Sequence, residues 1–125
     1  AYGAIVLAFE VARILEKQFV FTQRKDEKMV FRSGFDLSNT KKAVIIEDIV
    51  STGGSVSEVV NCARDKGIDV VAIGLLVDRS GGKLDFGLPV ESLLSIEVPL
   101  WRPEECDLCK QGLHLVKPGS SDKGK

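Results

Sequence analysis

Apolar residues return at helical spacing near the start of the chain, at Ile5, Leu7, Ala8, Val11, Ala12, Ile14 and Leu15, with Glu10, Arg13, Glu16 and Lys17 between them. That rhythm predicts an amphipathic helix of about four turns. Gln18 to Thr22 (QFVFT) changes to aromatic and β-branched residues and reads as a short strand. The charged QRKDEK that follows reads as a solvated segment. Met29 to Phe35 mixes apolar with polar residues, as one arm of a hairpin or a mobile flap would. After a turn at SNTKK, the run AVIIEDIV is apolar at successive positions, the pattern of a parallel strand covered on both faces. Ser55 to Lys66 return to helical spacing and stop at Gly67, a residue suited to a left-handed helix end. IDVVAIGLLVDR (Ile68 to Arg79) is a second buried strand, SGGKLDFGLP a loop, and VESLLSIEVPL carries a last strand. From Trp101 onward the chain turns irregular and polar.

Helix, strand, strand, helix, strand, strand is an α/β order. It predicts a parallel twisted sheet flanked by helices, with right-handed crossovers. No repeat or low-complexity linker interrupts it. Ligands in such sheets bind at the carboxyl ends of strands, where loops enter helix N-termini. The stretch Glu47-Asp48-Ile49-Val50-Ser51-Thr52-Gly53-Gly54-Ser55 is a junction of that kind.

Gly53 and Gly54 permit a tight path with backbone N–H groups exposed. Ser51, Thr52 and Ser55 add hydroxyl donors, and the helix start adds partial positive charge. Together they suit one phosphate group. The turn lacks the GK[ST] ending of a nucleoside-triphosphate loop and is not GxGxxG. Glu47 and Asp48 would repel a phosphate but accept hydrogen bonds from vicinal hydroxyls, as carboxylates that hold ribose do. Two acids beside a phosphate cradle therefore suit a ribose 5-phosphate. The plainer alternative is a solvated strand end followed by an ordinary Ser/Thr helix cap.

Composition narrows the class. The 125 residues hold 17 basic and 18 acidic side chains, for a net charge of −1. That balance supplies no general attraction to nucleic acid or an anionic membrane, so an anion site must be local. With 44% apolar residues the chain can bury a core. No apolar run approaches the roughly 20 residues that span a bilayer. Three cysteines, an odd number, point to reduced thiols and a cytoplasmic setting. The chain opens on Ala rather than Met, almost inside a helix and without signal-peptide features, so upstream sequence is expected to be missing.

VIIEDIVSTGGS resembles the phosphoribosyl-pyrophosphate (PRPP) motif of type I phosphoribosyltransferases. The resemblance implies that Glu47 and Asp48 hold the ribose 2- and 3-hydroxyls, and that Ser51, Thr52, Gly53, Gly54 and Ser55 hold the 5-phosphate. AYGAIVLAFEVAR, FRSGF, LLVDRSGGKLDFGLP and PEECDLCKQG are similar, in the same order, to orotate phosphoribosyltransferases of a short bacterial and archaeal form. This likeness implies a phosphoribosyltransferase core over residues 1–117 with a flexible tail at 118–125. The implied reaction joins PRPP and orotate into orotidine 5-monophosphate and pyrophosphate, with Mg²⁺ on the PRPP and a homodimer as the working unit. Arg79 would contact the base, which suits a carboxylate-bearing pyrimidine; a surface ion pair with Asp78 is the alternative.

Tyr2 and Gly3 occupy the family's pyrophosphate-loop position. Some relatives carry a lysine just after that tyrosine; here Gly3 leaves only backbone N–H groups for contact. Arg24, Lys25 and Lys28 resemble the flexible catalytic loop, although a charged run is ordinarily a solvated face. The resemblance also admits a purine or uracil phosphoribosyltransferase, a PRPP-binding regulator without catalysis, or an inactive assembly unit. Cys106 and Cys109 form a C-x₂-C with His114 beyond it, a weak zinc set because structural zinc takes four ligands. A knuckle-like turn or a redox-sensitive pair is the stronger reading, and Cys62 reads as core.

Overall fold

In the computed structural model, which describes residues 3–113, three parallel strands form the sheet in the order β3-β4-β5. They are β3 (Lys42–Val50), β4 (Asp69–Asp78) and β5 (Val90–Ser95). The helix α2 (Gly54–Arg64) carries the chain from β3 to β4, and α1 (Ile5–Ile14) lies against β3. Apolar residues at successive positions of β3 and β4 supply both faces, as expected of strands joined by a helical crossover. Ile45, Val50, Val70, Ile73 and Leu75 from the strands close on Val56, Val60 and Ala63 of α2.

Ile73 is 1% exposed at the centre of that cluster. Ile73→Ala removes buried methylenes and leaves a void, so it should lower unfolding free energy by about 2–5 kcal/mol. A fall in the urea midpoint at unchanged slope checks this; an unchanged midpoint would mean the centre collapses without cost.

The helix ends follow local chemistry. After α2, Gly67 takes φ 74°, and the N–H of Ile68 reaches back to the Ala63 carbonyl at 3.1 Å, the left-handed stop read from the sequence. α1 ends similarly but without glycine: Glu16 itself adopts φ 53°, and the N–H of Lys17 reaches the Ala12 carbonyl at 2.9 Å. The helix therefore has 10 residues and is shorter than its apolar rhythm suggested.

The segment before β3 differs from the sequence reading. The strand expected at Gln18–Thr22 begins only at Thr22. The charged stretch read as solvated is itself a hairpin of β1 (Thr22–Lys25) and β2 (Lys28–Phe31). Its two-residue turn, Asp26 and Glu27, has both φ values positive, the geometry that matches strand twist in a tight hairpin. Of the preceding residues, Phe21 still meets the hairpin, its carbonyl accepting the Arg32 N–H at 3.1 Å, and the rest are held by rings instead. Phe19 meets Phe9 edge-on at 5.7 Å and Phe35 at 6.3 Å, while Phe21 meets Phe35 at 5.3 Å. The amide of Gln18 donates to the Asp36 carbonyl at 2.8 Å, and Thr40 Oγ1 donates to Gln18 Oε1. Between this aromatic segment, α1 and the outer side of β3 runs a mostly apolar groove of about 640 Å³. A second difference lies near the end, where the stretch read as irregular contains a one-turn helix, α3 (Asp107–Lys110).

Candidate functional site

The carboxyl ends of β3 and β4 lie side by side: Val50 pairs with Asp78, and the N–H of Arg79 donates to the Val50 carbonyl at 2.8 Å. Where β3 gives way to α2, a notch of about 190 Å³ opens. Gly3, Glu47, Asp48, Ser51, Thr52, Gly53, Gly54 and Ser55 line it with Ile49, Val50 and Val56. Both acids and the whole hydroxyl–glycine turn thus share one concavity.

The α2 N-terminus is not capped by a side chain. The ordinary Ser/Thr cap considered from the sequence does not form, because Gly53 occupies the cap position at φ 80°, ψ −6°. Its carbonyl accepts from Ser57 N–H at 2.9 Å, so the N–H groups of the first helical turn have no carbonyl of their own, and their residues Gly54, Ser55 and Val56 line the notch. A positive helix end with open donors is an anion seat. Gly53 is required twice over. A side chain there would adopt a left-handed backbone, and a Cβ would lie 2.9 Å from the Phe86 ring and 3.3 Å from Leu84. Phe86 and Leu84 thus close the back of the turn. Sequence reasoning left them in a loop; their only signal was two apolar side chains in LDFGLP.

Glu47 is 5% exposed, and burial pushes its carboxyl above the ordinary value. Its Oε1 accepts the Asp48 N–H at 3.3 Å. Asp48 is half-buried, with Oδ1 accepting the Ile49 N–H at 2.8 Å. Gly3 passes so close that a Cβ there would lie 2.4 Å from Asp48 Oδ2. At this position a glycine lets the backbone touch the acid, and a larger residue would displace one of the two.

Arg79 follows β4 on the same edge but does not line the notch. The Asp78–Arg79 ion pair weighed from the sequence does not form. Asp78, 5% exposed, accepts at Oδ1 from the N–H and hydroxyl of Ser80, at 2.7 and 2.6 Å. Its Oδ2 accepts from Gly82 N–H at 2.8 Å and from the Ser95 hydroxyl at 3.3 Å. The hydroxyl of Ser80, followed by these other bonds, holds the Asp78 carboxyl below its usual range. Asp78 therefore folds the loop that begins at Arg79 and leaves the half-buried guanidinium without an ion pair among the described residues.

Asp78→Ala would strand four donors and should lower stability by about 2–3 kcal/mol at neutral pH. A carboxyl depressed by folding stabilises above its unfolded value near 3.8 and loses that contribution as pH falls through its lower native value. The gap in urea midpoint between parent and variant should therefore be full at pH 7 and narrow towards pH 3. A gap independent of pH would contradict this account of Asp78.

The basic residues of the hairpin do not reach the notch. Arg24 donates to Glu58 on α2 at 2.5 Å and to the Glu27 carbonyl at 2.8 Å, while Lys25 and Lys28 are exposed and paired in register beside the turn. Tyr2 and His114, like the tail at 118–125, lie outside the described residues. Among the described residues no cluster of three or more His, Cys, Asp or Glu is placed to hold a metal ion. No helix among them is long and apolar enough to cross a membrane. Cys62, read as core, is half-buried on α2, where burial pushes its thiol up.

No protein-family model matches the chain. A protein of Caldanaerobacter subterraneus subsp. tengcongensis named orotate phosphoribosyltransferase is 47% identical over 120 residues, or 96% of this chain and 63% of that protein. One of the same name from Thermotoga petrophila is 47% identical over 96% of this chain and 64% of its own length. Another, from Caldicellulosiruptor bescii, is 43% identical over 98% and 65%. The chain thus spans a little under two thirds of these relatives. Among solved structures, orotate phosphoribosyltransferase from Aeropyrum pernix superposes with a TM-score of 0.62 at 21% identity, covering 74% of this chain and 55% of that one. Adenine phosphoribosyltransferase from Rhodothermus marinus gives 0.60 at 18% identity, covering 75% and 65%. The two structures differ in the base their names carry, so they speak to the fold, and the specific kinship comes from sequence. With the fold of the phosphoribosyltransferases and sequence similarity along nearly all of its length, this chain is a homologue of the orotate phosphoribosyltransferases.

Proposed function

We propose that the chain is the PRPP-binding core of an enzyme that transfers phosphoribosyl from PRPP to orotate, giving orotidine 5-monophosphate and pyrophosphate. The observation that carries this reading is the uncapped α2 N-terminus sharing one notch with Glu47 and Asp48. A monoanionic or dianionic phosphate suits the open N–H groups of Gly54 and Ser55, and the ribose 2- and 3-hydroxyls suit the two carboxylates. Arg79, at the neighbouring strand end and without an ion pair among the described residues, is the cation for the orotate carboxylate.

The orotate nitrogen would attack the anomeric carbon as the bond to pyrophosphate breaks, through a transition state with positive charge on the ribose ring. The chain's work is then positional and electrostatic. The turn fixes the 5-phosphate, Glu47 and Asp48 fix the ring and stabilise its developing charge, and Arg79 orients the nucleophile. Arg24, Lys25 and Lys28, with Tyr2 and the Gly3 backbone, are proposed to meet the pyrophosphate; for Arg24 this requires release from Glu58. The two adjacent carboxylates lining the notch fit Mg²⁺, which favours one or two acids together with substrate phosphates. When bound, Mg²⁺ would neutralise charge on the departing pyrophosphate. A homodimer that shares its sites is proposed for the hairpin cations, and a cytoplasmic setting for the three free thiols.

The test is a titration of the full-length protein with PRPP and Mg²⁺, with orotate, adenine, guanine or uracil offered in parallel. Formation of orotidine 5-monophosphate with orotate, and no nucleotide from the other bases, is expected. Turnover with a purine or uracil would reassign the base, and no calorimetric signal with PRPP would remove the reading of the notch itself.

A further inference from the structure

Cys106 and Cys109 take no part in the notch, and their geometry is independent of how the notch is read. Cys106 stands at the head of α3 in extended conformation, and its Sγ accepts the Cys109 N–H at 3.4 Å. That bond draws the first turn of the helix over the sulfur, with Cys109 one turn along from Cys106. Both residues are half-exposed, and neither is in a disulfide. A thiol that receives a backbone N–H and that solvent can reach, with a second half-exposed thiol three residues away, has the features of an attacking group with its resolving partner. No group in the site already described competes for either sulfur.

We propose that Cys106 and Cys109 form a thiol–disulfide exchange site, with Cys106 attacking low-molecular-weight disulfides and Cys109 resolving. In the first step the Cys106 thiolate attacks one sulfur of the small disulfide. That S–S bond breaks, and one small thiolate leaves and takes up a proton. In the second, the Cys109 thiolate attacks Cys106 Sγ, releasing the second small thiol and closing a Cys106–Cys109 bond. The protein loses two electrons and two protons, and the reagent gains both. The division of roles follows the hydrogen bonds. The N–H and thiol of Cys109 hold the Cys106 thiol below its usual value, while donation to Cys106 raises that of Cys109. Attack therefore begins at Cys106. Cys62, raised by burial on α2, is the internal reference.

The experiment exposes the reduced full-length protein, with EDTA present, to oxidised glutathione, quenches with iodoacetamide and maps each cysteine by mass spectrometry. In the parent, the peptide holding Cys106 and Cys109 should become two hydrogens lighter and escape alkylation, while Cys62 is alkylated. Cys109→Ser should stop at a glutathione adduct on Cys106, formed on the order of tenfold faster than any adduct on Cys62. Cys106→Ser should leave Cys109 no faster than Cys62. Equal rates at all three cysteines would overturn the proposal. So would a stable adduct on Cys106 in the parent that never closes, since Cys109 would then not be resolving.

Discussion

Replacing Asp48 by Asn should weaken PRPP binding by roughly 10- to 100-fold and lower turnover at least as much, with little change in the urea midpoint. The size follows from exchanging a charged acceptor for a neutral amide, since hydrogen bonds to charged groups contribute about 1.5–3 kcal/mol. Asn keeps the volume and one acceptor oxygen, so the Ile49 N–H retains its partner and the turn keeps its shape. Glu47 adds a pH dependence of known sign. Burial raises its native carboxyl above 4.5, so the ionised form is disfavoured by folding; that stability is present below the unfolded value and is lost as pH rises through the native one. Hydroxyl donors from a ribose favour the ionised form, so binding should release a proton and tighten as pH rises past the native value. Ribose 5-phosphate titrated calorimetrically between pH 5 and 8 would report this, and Glu47→Gln should reduce the dependence to that of the phosphate alone. Parent-like affinity in Asp48→Asn would remove the ribose from the two acids.

The sheet and the glycine turn after β3 were legible because each rested on local chemistry that no distant contact overrides. AVIIEDIV and IDVVAIGLLVDR are apolar at successive positions, and only a strand with both faces covered accommodates that. Gly67 ends α2 where a left-handed residue is needed. The hairpin was legible only in part: Met29 to Phe35 offered one arm, and β2 does run through Met29–Phe31. Its partner and turn were hidden, since Asp26-Glu27 is no usual pair for a turn with two positive φ values, and QRKDEK carries no apolar alternation. What forms it is tertiary: β2 lies on α2, and Arg24 is tied to Glu58, 34 positions away. Gln18–Phe21 misled in the opposite direction, its strand-like residues being used mainly to pack rings, with one backbone bond from Arg32 to Phe21. At the site, the acids and the turn could be named from spacing alone. The dependence of Arg79 on Asp78, and of Gly53 on Phe86, could not, because both arise from a loop folding back across the sheet edge.

That fold-back makes Gly53→Ala a damaging change at the site. The backbone at φ 80° costs a side chain about 1–2 kcal/mol, and the new Cβ would also meet Phe86 at 2.9 Å on two ring atoms. Either the ring moves, uncovering the core beside Leu84, or the turn opens and the first-turn N–H groups lose their common direction. Both routes predict a lower urea midpoint together with at least a tenfold loss of affinity for ribose 5-phosphate. Gly54→Ala separates steric from general effects, since a Cβ there meets nothing within 4 Å and lies in a helix, where Ala is favoured over Gly by about 0.5–1 kcal/mol. Its midpoint should hold or rise. The double change Gly53→Ala with Phe86→Ala distinguishes the two routes: regained phosphate affinity would place the fault in the ring contact, and continued loss would place it in the left-handed backbone. Parent-like affinity and midpoint in the single Gly53→Ala variant would mean that the turn tolerates a side chain, and the phosphate seat would then have to lie elsewhere on the sheet edge.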